Sequence, residues 1–139
     1  MDDLSMLDGI RANAKLITSM AHEKLGQQIT YDKAGVEWLD GYIQRQHEQG
    51  DPAIHDGLVN TLGSYVGECI IQNIGGQWAE TNGNWYVRFD DRNAANLFAK
   101  VGKQLENGEA DSVLGFYNTI LVIFQGKVSS SKKPWWKFW

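Results

Sequence analysis

Residues Leu62–Phe89 read LGSYVGECIIQNIGGQWAETNGNWYVRF, and the fold class turns on where the helix in this stretch stops and the sheet begins. Ile54, Leu58, Leu62, Tyr65, Val66 and Cys69 recur at helical spacing, which predicts a helix over about 53–74. Gly75-Gly76 ends it. The period then changes. Gln77–Glu80 and Asn84–Phe89 are rich in Trp, Tyr and Val, and Thr81-Asn82-Gly83 between them contains Asn-Gly, the dipeptide that closes two-residue hairpins most readily.

Working outward, the N-terminal flank predicts two more helices. Leu4, Leu7, Ile10, Ala14, Ile17 and Ala21 give one over 4–25, stopped by Gly26. Thr30 is placed to cap a second, running to about Gln49, with Val36, Leu39 and Ile43 inward and Trp38 and Tyr42 paired beside them. Gly50-Asp51-Pro52 breaks the chain, with Asp51 as cap and Pro52 in the first turn of the third helix. Beyond the hairpin, a fourth helix is expected over about 93–105, stopped by Asn107-Gly108. A fifth runs from a cap at Asp111 or Ser112 to Gln125, apolar on most sides and therefore expected to be buried. The skeleton is α+β and mostly helical, with about five helices and a small antiparallel β-hairpin between helices three and four. Residues 1–126 form the single domain, and 127–139 are a polar linker and a tail.

Within the third helix, Gly63 and Gly67 lie four apart on one face, where a missing side chain admits a close neighbour. Each costs about 1 kcal/mol of helix propensity relative to alanine, so packing must compensate. Glu68 sits beside this groove and requires a partner, because isolated buried charge is costly. Arg88 and Tyr65 are the candidates within the fold. Gly63, Gly67, Tyr65 and Glu68 form the one ligand site, or buried polar site, that the body suggests.

The pattern LGSYVGE, then GGQW, then Asn107-Gly108-Glu109-Ala110-Asp111-Ser112, resembles an uncharacterised bacterial domain family with an LGxYxGE…GGxW…NGxxDS signature. The resemblance spans about residues 31–125. It implies an α+β fold and a bacterial source, and no activity. Immunity proteins are among the small acidic bacterial domains of this general look, which gives a further reading: an inhibitor whose acidic body meets a basic toxin.

A chain of 139 residues with 42% hydrophobic and 22% charged residues is one globular domain by size and composition. The N-terminus MDDLSMLDGIR lacks the basic-then-apolar pattern of a signal peptide, and no apolar run approaches the roughly 18 residues of a membrane span. Cys69, the single cysteine, has no partner for an internal disulfide. The expected location is the cytoplasm, with a peripheral position at the inner membrane open to the tail.

Charge is segregated along the chain. All seventeen acidic residues lie at or before Asp111, and residues 1–126 carry a formal charge of −8. Residues 112–139 contain no acid and four lysines, Lys127, Lys132, Lys133 and Lys137. An acidic body repels phosphate, so nucleic acid is not expected as a partner.

The chemistry-bearing residues are sparse. His22, His47 and His55 are not spaced as ligands, and no second Cys or His accompanies Cys69 at ligand spacing, so no metal and no cofactor is expected. Cys69 lies on the apolar stripe, where cysteine behaves as a small hydrophobe. There is no Gly-x-Ser-x-Gly elbow and no phosphate-binding loop. An enzyme or small-ligand protein centred on Glu68 is the rival reading.

The chain closes on KKPWWKFW, placing three of its six tryptophans in the last five residues. Trp is prominent in binding hot spots and favours bilayer interfaces, while lysines are drawn to anionic surfaces. Lys132, Lys133, Trp135, Trp136, Lys137, Phe138 and Trp139 are therefore the expected docking residues. Their partner is an unknown protein, another copy of the chain, weakly a membrane surface, or an apolar patch of the same domain. The function expected is non-enzymatic binding.

Overall fold

The computed structural model describes residues 3–125. Their order is α1 (Asp3–Leu25), α2 (Lys33–Gln49), α3 (His55–Asn73), β1 (Gln77–Thr81), β2 (Asn84–Arg88), β3 (Ala94–Ala95), α4 (Leu97–Asn107) and α5 (Val113–Gln125). Short 3₁₀ turns precede α3 and α5, at Pro52–Ile54 and Gly108–Asp111. The fold is α+β and mostly helical, with a small antiparallel sheet between the third and fourth helices. The docking residues expected at 132–139 lie outside the described residues.

Helix α3 is the centre of the molecule. Leu62, Tyr65, Val66, Cys69 and Ile70 are each fully buried, and α1, α2, α4 and β2 all pack against it. The facing residues are Ala14 and Ile17 from α1, Val36, Leu39 and Ile43 from α2, and Leu97 and Val101 from α4. Gly26 adopts φ +66° at the end of α1, and the Gln27 N–H bonds back to the Ala21 carbonyl at 2.9 Å.

The hairpin follows from its turn. Asn82 and Gly83 take φ of 55° and 82°, the positive pair that matches the twist of the flanking strands, and Thr81 faces Asn84 across it. A third strand, absent from the sequence expectation, pairs Ala95 with Val87 and Ala94 with Arg88. Its cause is Asp90. That carboxylate accepts the N–H groups of Arg92 and Asn93 and the Asn93 carboxamide, folding 90–93 into a turn that returns the chain along β2. The fourth helix therefore starts at Leu97 rather than 93, capped by Asn96, whose Oδ1 accepts the Ala99 N–H at 3.0 Å.

Two other starts differ from expectation. Asp32, not Thr30, caps α2: its Oδ1 accepts the Gly35 N–H at 3.1 Å, while the Thr30 hydroxyl donates to the other oxygen at 2.6 Å. Asp51 caps the 3₁₀ turn, accepting the Ala53 N–H at 2.9 Å, and α3 follows it without a side-chain cap. Helix α5 buries Val113, Tyr117 and Ile120 but leaves Val122 74% exposed among the described residues. It lies against α2 and α4 at the edge of the domain, so only one face reaches the core.

Candidate functional site

The glycine face of α3 is closed by aromatic rings. A Cβ at Gly63 would stand 2.6 Å from Cδ1 of Phe98, and one at Gly67 would collide with the indole of Trp78. These rings lie 5.8 Å apart with a 33° tilt, so one pair covers both glycines. The missing side chains admit Trp78 from β1 and Phe98 from α4, and this is the packing that offsets the two helix-weakening residues.

Glu68 is held in the same arrangement. Its Oε2 accepts the Trp78 indole N–H at 2.8 Å, and Gln72, one turn on, approaches Oε1 at 3.5 Å. Neither partner anticipated from the sequence reaches it. Arg88 pairs with Asp91 at 2.9 Å and donates to the Asp90 carbonyl. Tyr65 turns the other way, into the core, where its hydroxyl donates to the Thr30 carbonyl and its ring lies 5.3 Å from that of Tyr31. The structure thus brings Gly63, Gly67 and Glu68 to one face with Trp78 and Phe98, and separates Tyr65 from them.

Burial keeps Tyr65 and Cys69 uncharged. Desolvation raises the Tyr65 phenol above its ordinary value and pushes the Cys69 thiol up to about 12. A thiol in that setting is not a nucleophile at neutral pH. The His47 Nδ1 lies 2.9 Å from the Leu105 carbonyl, joining α2 to α4. Among the described residues, no group of three or more His, Cys, Asp or Glu is placed to hold a metal ion.

The open space lies elsewhere. A cleft of about 450 Å³ runs between α1, the start of α3, the hairpin tip and the start of α4. Asn13, Asn60, Asn84 and Asn96 line it, with Ser64, Trp85 and Phe98. The Ser64 hydroxyl donates to the Asn60 carbonyl at 2.7 Å, which leaves its oxygen as an acceptor.

Comparison of the chain with protein-family models, with curated proteins and with solved structures returns no match. Its site is therefore read from its own geometry.

Little in the sequence marks this cleft. Asn60 and Ser64 stand four apart on α3 beside Gly63, and a buried serine at that spacing is the legible signal. Asn13, Asn84 and Asn96 come from three other elements, and only packing brings them to the same space.

Proposed function

We propose that this chain is a non-catalytic binding domain whose tail, Lys132, Lys133, Trp135, Trp136, Lys137, Phe138 and Trp139, docks on an acidic protein surface. The body of a second copy is the nearest such surface. The reading is carried by the segregation of charge, with seventeen acids at or before Asp111 and only lysines among the charged residues after it. A basic segment with four aromatics complements an acidic face in both charge and burial.

Two structural features support it. Helix α5, which precedes the tail in sequence, contains no charged residue and exposes Val122. Glu68, the carboxylate best placed for chemistry, is engaged by the Trp78 indole. The setting we propose is a reducing bacterial cytoplasm. The buried lone Cys69 is in keeping with it, and among the described residues no helix is long and apolar enough to cross a membrane.

The test compares the full chain with a version ending at Ser131. Sedimentation at low and high salt is expected to show a tail-dependent, salt-sensitive increase in mass. A tail-dependent blue shift of tryptophan fluorescence seen only with anionic vesicles would move the docking surface to lipid. Loss of stability on truncation, with neither effect, would make the tail a part of the fold and overturn the proposal.

A further inference from the structure

The cleft between α1, α3 and the hairpin combines carboxamides with an aromatic wall. Charged residues make up 22% of the chain, yet none is among the described residues that line this space. The polar side chains among its described lining residues are the carboxamides of four asparagines and the hydroxyl of Ser64. A charged ligand would be desolvated there without a counter-charge, which is costly. A wholly apolar ligand would cover the carboxamides and leave them unbonded. The complementary ligand is neutral and carries many groups that both donate and accept, because each carboxamide offers two N–H donors and one carbonyl acceptor.

The aromatic lining narrows the class. Phe98 is already committed, packed over Gly63 and tilted against Trp78. Trp85 is half-buried on the wall, and among the described residues its ring stacks on no other. A planar base gains most from two facing rings, and only one free platform is present. A pyranose needs only one, since it has an apolar C–H face and a rim of hydroxyls. The volume of about 450 Å³ falls within the roughly 300–1,000 Å³ of small-molecule sites.

We infer that this cleft binds a neutral saccharide ring, with its C–H face on Trp85 and its hydroxyls on the carboxamides of Asn13, Asn60 and Asn84. Asn96 contributes its N–H₂ group and one remaining lone pair, because its Oδ1 already accepts the Ala99 N–H. The site binds without cleaving, since among the described residues no carboxylate pair lines it to protonate a leaving oxygen or activate water. This inference is independent of the tail.

Gly9 supplies the decisive variant. It lies on the α1 wall, and a Cβ built there meets nothing within 4 Å. Gly9→Leu therefore fills the cleft from a position where leucine is the better helix former. The full chain would be titrated with glucose, N-acetylglucosamine and maltose by saturation-transfer NMR, with glucose 6-phosphate and adenosine as the charged and planar comparisons. Saturation is expected at the ring protons of at least one neutral sugar, with glucose 6-phosphate and adenosine at least tenfold weaker. Gly9→Leu and Trp85→Ala should each weaken sugar binding at least tenfold, and the version ending at Ser131 should retain it. Absence of transfer to all three sugars, tighter binding of adenosine, or sugar binding that survives Gly9→Leu would overturn the inference.

Discussion

The indole N–H of Trp78 donates to the carboxylate of Glu68 across 2.8 Å, tying the first strand of the sheet to the middle of the central helix. The same indole covers Gly67, so one side chain both fills the gap left by a glycine and satisfies the acid beside it. Replacing Trp78 by Phe keeps a ring over the glycine and removes the donor. Hydrogen bonds to charged groups contribute about 1.5–3 kcal/mol, so Trp78→Phe is expected to cost about 2 kcal/mol in urea denaturation. Glu68→Gln, which retains an acceptor, should cost less than half as much. Equal losses would mean that the bond contributes little.

The glycines of α1 and α3 make a matched pair of tests. Gly67→Ala forces a methyl into the Trp78 ring and should destabilise by about 1–3 kcal/mol, in spite of its better helix propensity. Gly9→Ala meets open space and should stabilise by up to about 1 kcal/mol. Thermal midpoints moving in opposite directions would verify the distinction. A stabilising Gly67→Ala would contradict the packing described.

Helix α5 is started by side chains from two other helices. Asp40 of α2 accepts the Leu114 N–H at 2.9 Å and the Ser112 hydroxyl at 2.7 Å, while buried Gln104 of α4 accepts the Val113 N–H at 2.8 Å. The Ser112 hydroxyl also accepts the Gly115 N–H at 3.1 Å. Asp40→Ala should therefore cost about 1–2 kcal/mol, in the range of a lost N-cap, although the residue lies more than seventy positions from the helix it caps. Amide exchange at Leu114 would rise specifically, which a general loss of stability would not produce.

Cys69 makes the fold sensitive to alkali. Burial favours the neutral thiol and raises it from its ordinary value of 9.0 to about 12. Between these values the unfolded chain releases a proton that the folded chain retains, so this contribution is complete below about pH 9 and declines toward pH 12. Tyr117, raised by burial from 10.0 to about 12, acts in the same direction. Stability measured by denaturant should fall over this window, and Cys69→Ser should reduce the slope. At pH 8 the native thiol should resist Ellman's reagent and react fully once the chain is unfolded. Rapid labelling of the native protein would refute the burial.

Local chemistry made much of the architecture readable. Apolar spacing marked the five helices, the Asn82-Gly83 turn marked the hairpin, and Gly26, Gly75 and Gly108 marked stops, because each signal acts over a few neighbouring residues. Where two local signals competed, nearby residues misled. Thr30 has the chemistry of a cap but serves Asp32, and the alanines at 94–95 suit a helix yet pair with β2 once Asp90 has turned the chain.

By itself, the sequence determined the helical α+β class, the order of the elements and the concentration of basic and aromatic residues in the tail. Tertiary structure alone decided the partner of Glu68, the filling of the Gly63 and Gly67 face, the capping of α5 by Asp40 and Gln104, and the neutral cleft. The physical reason is range. Helix periods and turn dihedrals are set by adjacent backbone, whereas a hydrogen bond between distant side chains exists only after packing has fixed both ends. Asn13, Asn60, Asn84 and Asn96 have no spacing that relates them, and they share a surface only because α1 and the hairpin close over α3.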